Sequence, residues 1–307
     1  MDPLSDVLSL LKVESVLSAR FEASGSWVLR FPAYRHLKFG DMLEGSRWVW
    51  IDQVTEPVKV GPGDFYLLTD GRPYCLASDL EAKVVDFPEV LAGSLGDDRI
   101  VRYGRGGTRT VGTGGRFTFD DETSRLLLDA LPAFIHIRAD SPHAAALRSV
   151  RDLIGFETEM VRPGGAAVAG SLANIVLVNI LRAYLAEESR PMGWLGALTD
   201  AHIGPTLGMM HAEIARRWKV EDLAAEAGMS RTAFAERFKA LVGVPPLEYM
   251  IRWRMTIARN ALKADNEGLA TIAAGIGYAS ETAFSSAFKN MFGVSPGQYR
   301  TQVRRER

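Results

Sequence analysis

Two rhythms of apolar and polar positions divide the chain. Between residues 21 and 120 the apolar positions come in short runs, such as Trp48-Val49-Trp50-Ile51 and Asp64-Phe65-Tyr66-Leu67-Leu68, punctuated by Gly45, Gly61-Pro62-Gly63 and Gly71. Short strands at close spacing predict a small barrel or sandwich. Trp48 and Trp50 share one side of their strand, Val49 and Ile51 the other, and alternation leaves open which pair faces inward. From about Ser124 to Glu188 the pattern turns mostly helical. Within it, Ala166 to Ala186 is apolar on nearly all sides but is interrupted by Asn174, Asn179 and Arg182, as in a helix sandwiched between protein surfaces, not a membrane span.

The last hundred residues hold an internal repeat. Leu223-Ala224-Ala225-Glu226-Ala227-Gly228 aligns with Ile272-Ala273-Ala274-Gly275-Ile276-Gly277 at an offset of 49, which one inserted residue changes to 50. At that offset Ser230, Thr232, Ala233, Phe234, Phe238, Lys239, Gly243, Val244, Pro246 and Tyr249 recur as Ser280, Thr282, Ala283, Phe284, Phe288, Lys289, Gly293, Val294, Pro296 and Tyr299. Each copy predicts a short alanine-rich helix, a glycine turn, a capping serine and a longer amphipathic helix, the grammar of a helix-turn-helix. The buried stripe is expected at Phe234, Phe238 and Leu241, and at Phe284, Phe288 and Met291. Between the copies a helix from Leu247 to about Lys263, with apolar positions 247, 250, 251, 255, 258 and 262, is long enough to hold two reading helices apart.

The wet faces supply candidate chemistry. Arg231, Thr232, Ala235 and Glu236 in the first copy, and Glu281, Thr282, Ser285 and Ser286 in the second, lie near helix N-termini and suit base edges in a major groove. Glu236 and Glu281 equally suit a solvated face near a helix start, where carboxylates are favoured. Lys239, Lys289, Arg252, Arg254 and Arg300 are the expected phosphate contacts.

Charge adds to this picture. Net charge is −1, but residues 211–307 carry 15 Lys and Arg against 10 Asp and Glu, and residues 1–210 carry 21 against 27. A basic end beside an acidic remainder suits a protein that offers one part to a polyanion. The single cysteine, Cys75, forms no intrachain disulfide or thiol zinc site, and Met1 to Lys12 does not read as a signal peptide, so a cytoplasmic protein is expected. His136, His143, His202 and His211 have no zinc spacing, and no cofactor, catalytic residue or metal is expected. The glycine-rich Gly104 to Arg109 matches no phosphate-loop pattern and reads as a strand connection.

The stretches VEDLAAEAGMSRTAFAERFKALVGVPPLEYMIRWRM and IAAGIGYASETAFSSAFKNMFGVSPGQYR strongly resemble the paired helix-turn-helix domain of AraC/XylS transcription regulators. In that family the second helix of each unit lies in the major groove, which puts Thr232, Ala235, Glu236, Thr282, Ser285 and Ser286 where base contacts are expected. HLKFGDMLEGSRWVWID, PVKVGPGDFYLLTDGRPYCL and RYGRGGTRTVGTGGRF resemble the cupin-type ligand-binding domain attached to many such regulators. Metal-using cupins pair histidines, whereas here His36 stands alone with Glu44 and Tyr74 takes the later position, so a metal site lacks its ligands.

The resemblance implies an α+β chain of two domains. Residues 1–188 would form a cupin-like β-barrel with a helical dimerisation segment, 189–206 a linker, and 207–307 an all-α double helix-turn-helix. The implied partners are double-stranded promoter DNA, a second copy, an unknown small-molecule effector and, for an activator, RNA polymerase, with no membrane. His36, Trp48, Trp50 and Tyr74 are the expected effector-pocket residues.

Overall fold

The computed structural model describes residues 2–11, 14–35, 37–94, 100–119, 131–159, 163–187, 193–264 and 267–306. The chain forms two compact units, one of Lys12–Pro191 and one of Met192–Arg307 together with Met1–Leu11.

The first unit is a sandwich of two sheets, not a closed barrel. Its strands are β1 (Glu14–Ser24), β2 (Val28–Phe31), β3 (Leu37–Asp41), β4 (Arg47–Ile51), β5 (Val58–Val60), β6 (Phe65–Leu68), β7 (Tyr74–Ala77), β8 (Val84–Asp86), β9 (Ile100–Gly104), β10 (Arg109–Thr118) and β11 (Phe134–Ile137). Six of them form a sheet in the order β11-β6-β3-β10-β1-β9, and five form the facing sheet in the order β5-β4-β7-β2-β8. Helix α2 (Phe87–Ser94) follows β8. The core between the sheets gathers Phe21, Trp27, Met42, Val49, Ile51, Tyr66, Tyr74 and Leu76.

That core settles the tryptophan question. Val49 and Ile51 point inward, while Trp48 and Trp50 lie on the other face of β4 over Val28, Cys75 and Ala77. Tyr74 lies in the core between the sheets, so the anticipated pocket residues divide between two faces of one sheet. His36 lies outside the described residues. The glycine stretch is a strand connection: a Cβ on Gly104 (φ +73°) would meet the Ser24 carbonyl oxygen at 2.1 Å, so only glycine allows β9 and β1 to meet there.

The helical expectation for 124–188 needs one correction. Phe134 to Ile137 is a strand paired with β6, its isoleucines alternating with Phe134 and His136 as period two requires. Helices α3 (Ala144–Glu159) and α4 (Gly165–Glu187) follow, and α4 packs on α3 and β1, burying Leu172, Val176, Leu177, Ile180 and Leu181. No helix among the described residues is long and apolar enough to cross a membrane.

The second unit is all helix: α1 (Pro3–Leu11), α5 (Gly193–Ala197), α6 (Ile203–Ala212), α7 (Val220–Glu226), α8 (Arg231–Val242), α9 (Pro246–Ala264), α10 (Leu269–Gly275), α11 (Glu281–Phe292) and α12 (Pro296–Glu306). Two expected boundaries shift. Residues 193–206 are folded structure, not linker: Trp194, Leu195 and Ala197 are buried and α5 packs on α8, because such apolar side chains cannot be left in water.

Residues 2–11 fold with the carboxy-terminal unit. Helix α1 buries Leu4 and Val7 and packs on α6. Asp6 Oδ2 lies 3.3 Å from His211 Nδ1, and Asn260 donates its side-chain N–H to the Leu10 carbonyl at 3.3 Å. His211 is the centre of this joint, its ring stacked 4.1 Å from Trp253 and its Nε2 2.7 Å from the Tyr249 hydroxyl. Burial pushes its imidazole pKa down to about 4 despite Asp6. A neutral ring satisfies both neighbours, donating Nδ1–H to Asp6 and accepting the tyrosine hydroxyl at Nε2.

Candidate nucleic-acid interface

Both helix-turn-helix units fold as the repeat requires. In the first, Asp222 accepts a hydrogen bond from the Lys219 amide at 3.3 Å, starting α7. Gly228 (φ +64°) turns the chain, and the Ser230 hydroxyl accepts from the Ala233 amide at 3.3 Å, starting α8. The second unit repeats this with Gly277 (φ +82°) and with Ser280 accepting from Ala283 at 3.2 Å before α11. Both long helices end on a left-handed glycine, Gly243 and Gly293.

Burial then orients α8 and α11. Phe234 and Phe238 are fully buried, as are Phe284 and Phe288, with ring centroids 5.7 Å and 5.8 Å apart in the two pairs. Leu241 is half-buried. Met291 is 37% exposed, a correction to the expected stripe: Phe292, 4.6 Å from Phe288 between ring centroids, closes the second core in its place. With the phenylalanines inward, Arg231, Thr232, Glu236, Glu281, Thr282 and Ser286 are exposed, and Ala235 and Ser285 half-exposed. Each helix therefore presents its candidate base readers together at its N-terminal end, on the face away from the core.

The first positions of the two helices differ in charge. Arg231 is paired at 3.0 Å with Glu221 of α7, a contact open to solvent, while its counterpart Glu281 is acidic. Ala235 and Glu236 correspond to Ser285 and Ser286, so the two faces present different donors and acceptors.

The expected phosphate residues separate into two groups. Lys239 and Lys289 are exposed in the last turns of their helices, and Arg252 is exposed in an ion pair with Glu248 at 2.7 Å. Arg254 instead donates to the carbonyls of Ile214 at 2.9 Å and Arg216 at 2.6 Å, and Arg300 donates to the Glu267 carbonyl at 2.6 Å. Those bonds make both arginines clasps within the domain.

Several positioning residues escape sequence reasoning. Asp200 receives both the Arg237 guanidinium, at 2.6 Å, and the amides of His202 and Ile203 at the start of α6, joining α8 to the preceding segment. Burial pushes its carboxyl up and those bonds more than reverse the effect, leaving it below the ordinary value. His202 Nδ1 meets the Ala227 carbonyl at 2.8 Å, bracing the first turn. An aspartate three residues before a helix start was the available signal for its bonds to the first amides; nothing local announced its arginine partner, 37 residues on.

Spacer α9 is 19 residues long, about 28 Å at 1.5 Å per residue. It buries Tyr249, Met250, Trp253, Met255, Ala258 and Leu262. Leu247 and Ile251, expected on the apolar stripe, are 42% and 44% exposed, because Tyr249 and Trp253 take the inward positions.

Comparison with known proteins fits this architecture. Residues 2–186 match the family model described as Cupin, and residues 223–302 the one described as Helix-turn-helix domain. A putative AraC-like transcription regulator of Streptomyces lividans is 42% identical over 301 residues, which cover 98% of each chain. The chain belongs to the AraC-like transcription regulators. As a member of that family it is a DNA-binding transcription regulator with an N-terminal cupin domain, and not an enzyme. The transcriptional regulator AlkR of Acinetobacter baylyi is 30% identical, with 92% of this chain and 93% of AlkR covered. Among solved structures, the DNA-binding domain of AdpA in complex with a target DNA is 30% identical at a TM-score of 0.34, covering 35% of this chain and 97% of that one.

Proposed function

We propose that this AraC-like regulator reads two adjacent major-groove segments of a promoter, α8 entering one and α11 the other. Arg231, Thr232, Ala235 and Glu236 read the first half-site; Glu281, Thr282, Ser285 and Ser286 read the second. Lys239, Lys289 and Arg252 hold phosphates, while Arg254 and Arg300 shape the domain that does so. The observation that carries this reading is the pairing of two serine-capped helices, each anchored by two buried phenylalanines and each presenting polar residues at its N-terminal end. Because those residues differ, the operator is an asymmetric two-part sequence and not a palindrome within one protomer.

The cupin unit serves as the sensing half, binding a small-molecule effector that favours either the DNA-competent state or its alternative. The regulator works in the cytoplasm as a homodimer, and meets RNA polymerase where it activates. Selecting bound sequences from random DNA tests the readout. Thr232→Ala is expected to relax preference at one half of the motif and Ser286→Ala at the other, each by about 1 kcal/mol, roughly fivefold. A motif of one part, or one changed at the same bases by both substitutions, would refute it.

A further inference from the structure

The inner face of the six-stranded sheet carries a cluster that DNA binding does not use. Alternation puts Lys38 of β3 and Arg116 of β10 on the side of the core residues Phe21, Met42 and Tyr66, and the antiparallel register sets them directly opposite each other. Like charges facing across a rung are destabilising, and among the described residues no carboxylate forms an ion pair with either. The Lys38 amine instead faces three rings, 6.0 Å from the centre of Phe31, 5.8 Å from Tyr34 and 5.6 Å from Tyr74. Phe31 continues the wall, stacked 4.6 Å from Tyr74 and 4.1 Å from Phe87. The Tyr34 hydroxyl is buried beside the backbone amides of Gly71 and Asp70.

Stability alone gives no reason for this arrangement. An apolar side chain in place of Lys38 would pack on the same rings without the repulsion. Burial and the Arg116 charge together lower the Lys38 pKa, so the amine lacks the anion that would hold its charge. Arg47, the other inward cation, is committed elsewhere: it donates to the Tyr66 hydroxyl at 2.9 Å and to the Asp41 carbonyl at 3.3 Å. Lys38 is half-buried and Arg116 exposed, so the cluster opens to solvent at its charged end.

We propose that Lys38, Arg116 and the Tyr34 hydroxyl bind the carboxylate of the effector, and that Phe31, Tyr74 and Phe87 receive its body, so that the ligand is an organic acid with an apolar body. An inorganic anion would leave the aromatic wall without a partner, and a cation would meet two like charges. This assignment rests on reading the cupin unit as the sensing half.

The test uses the full-length protein with octanoate, 4-phenylbutyrate and indole-3-acetate, each against the matching alcohol. Binding is read by calorimetry and melting temperature, and operator affinity is measured alongside. At least one acid should bind about tenfold more tightly than its alcohol, and Lys38→Met and Arg116→Gln should each remove about that factor for the acid alone. Without ligand, both variants should melt no lower than the parent, since the facing charges are relieved. Acids that bind no better than their alcohols, or not at all, would overturn the assignment. So would variants that melt lower yet bind the acid as before, which would make the cations structural. Acid binding that leaves operator affinity unchanged sinks the sensing role and leaves the site standing. An operator response to an alcohol that Lys38→Met does not alter does the reverse.

Discussion

Gly228 and Gly277 occupy the same position in the repeat and both have positive φ, yet their surroundings differ. A Cβ on Gly228 would meet nothing within 4 Å, whereas one on Gly277 would lie 2.3 Å from the Ala215 carbonyl oxygen. The first glycine answers only to backbone conformation; the second also admits a neighbouring chain. Gly228→Ala should therefore cost about 1 kcal/mol, the left-handed penalty alone. Gly277→Ala should cost at least about 3 kcal/mol, because backbone must move as well. Chemical denaturation of the two variants checks this, and equal losses would show that the close approach to Ala215 is not maintained. Repetition in the sequence reveals that both glycines turn the chain, but the second demand on Gly277 comes from residues 62 positions away. Arg254 and Arg300 teach the same lesson: their charge and position suit phosphates, and carbonyls that fold beside them engage part of each guanidinium.

Among the elements, α1 shows how a helix can belong to a distant part of the chain. Its amphipathic pattern, with Leu4 and Val7 on one face, needs an apolar partner, and α6 supplies it. His211 makes that docking pH-dependent. Its folded pKa of about 4 lies below the ordinary 6.5, so between those values the unfolded chain binds a proton that the folded chain does not. Stability is complete above pH 6.5 and falls as the pH drops toward 4, by a total on the order of 3 kcal/mol. Melting curves of the parent and of His211→Asn across this range check the sign: the parent should lose more stability on acidification. A variant as acid-sensitive as the parent would place the dependence on another group. Removing residues 1–11 should also weaken the helical unit itself, since the Leu4 and Val7 contacts end there.

At the scale of the whole molecule, the sandwich unit leaves apolar surface on its helical layer. Leu153 and Phe156 of α3 and Val168 and Ile175 of α4 are 54%, 50%, 43% and 44% exposed, on two helices packed against each other. Isologous pairing of that layer would cover them and is the basis for the dimer proposed above. Leu153→Glu, at a side chain already half in water, should leave the fold intact and shift sedimentation equilibrium toward monomer. A parent that sediments as a monomer at micromolar concentration, or a variant that remains dimeric, would rule this surface out.

The helix-turn-helix pair was legible in the linear chain because its determinants are local. Serine caps, glycine turns and phenylalanines four residues apart act within one or two turns of backbone, and duplication displays each of them twice. Strands β4 and β6 were legible for the same reason, and so was the buried character of α4. Long-range packing decided the remainder: which side of β4 faces the core, that Phe134 to Ile137 joins a sheet, that residues 193–206 are folded, and that α1 lies with the helical unit. A period of two or of 3.6 states that an element has two faces without naming what covers each. That choice belongs to side chains tens to hundreds of residues apart, and only their meeting in the folded protein makes it.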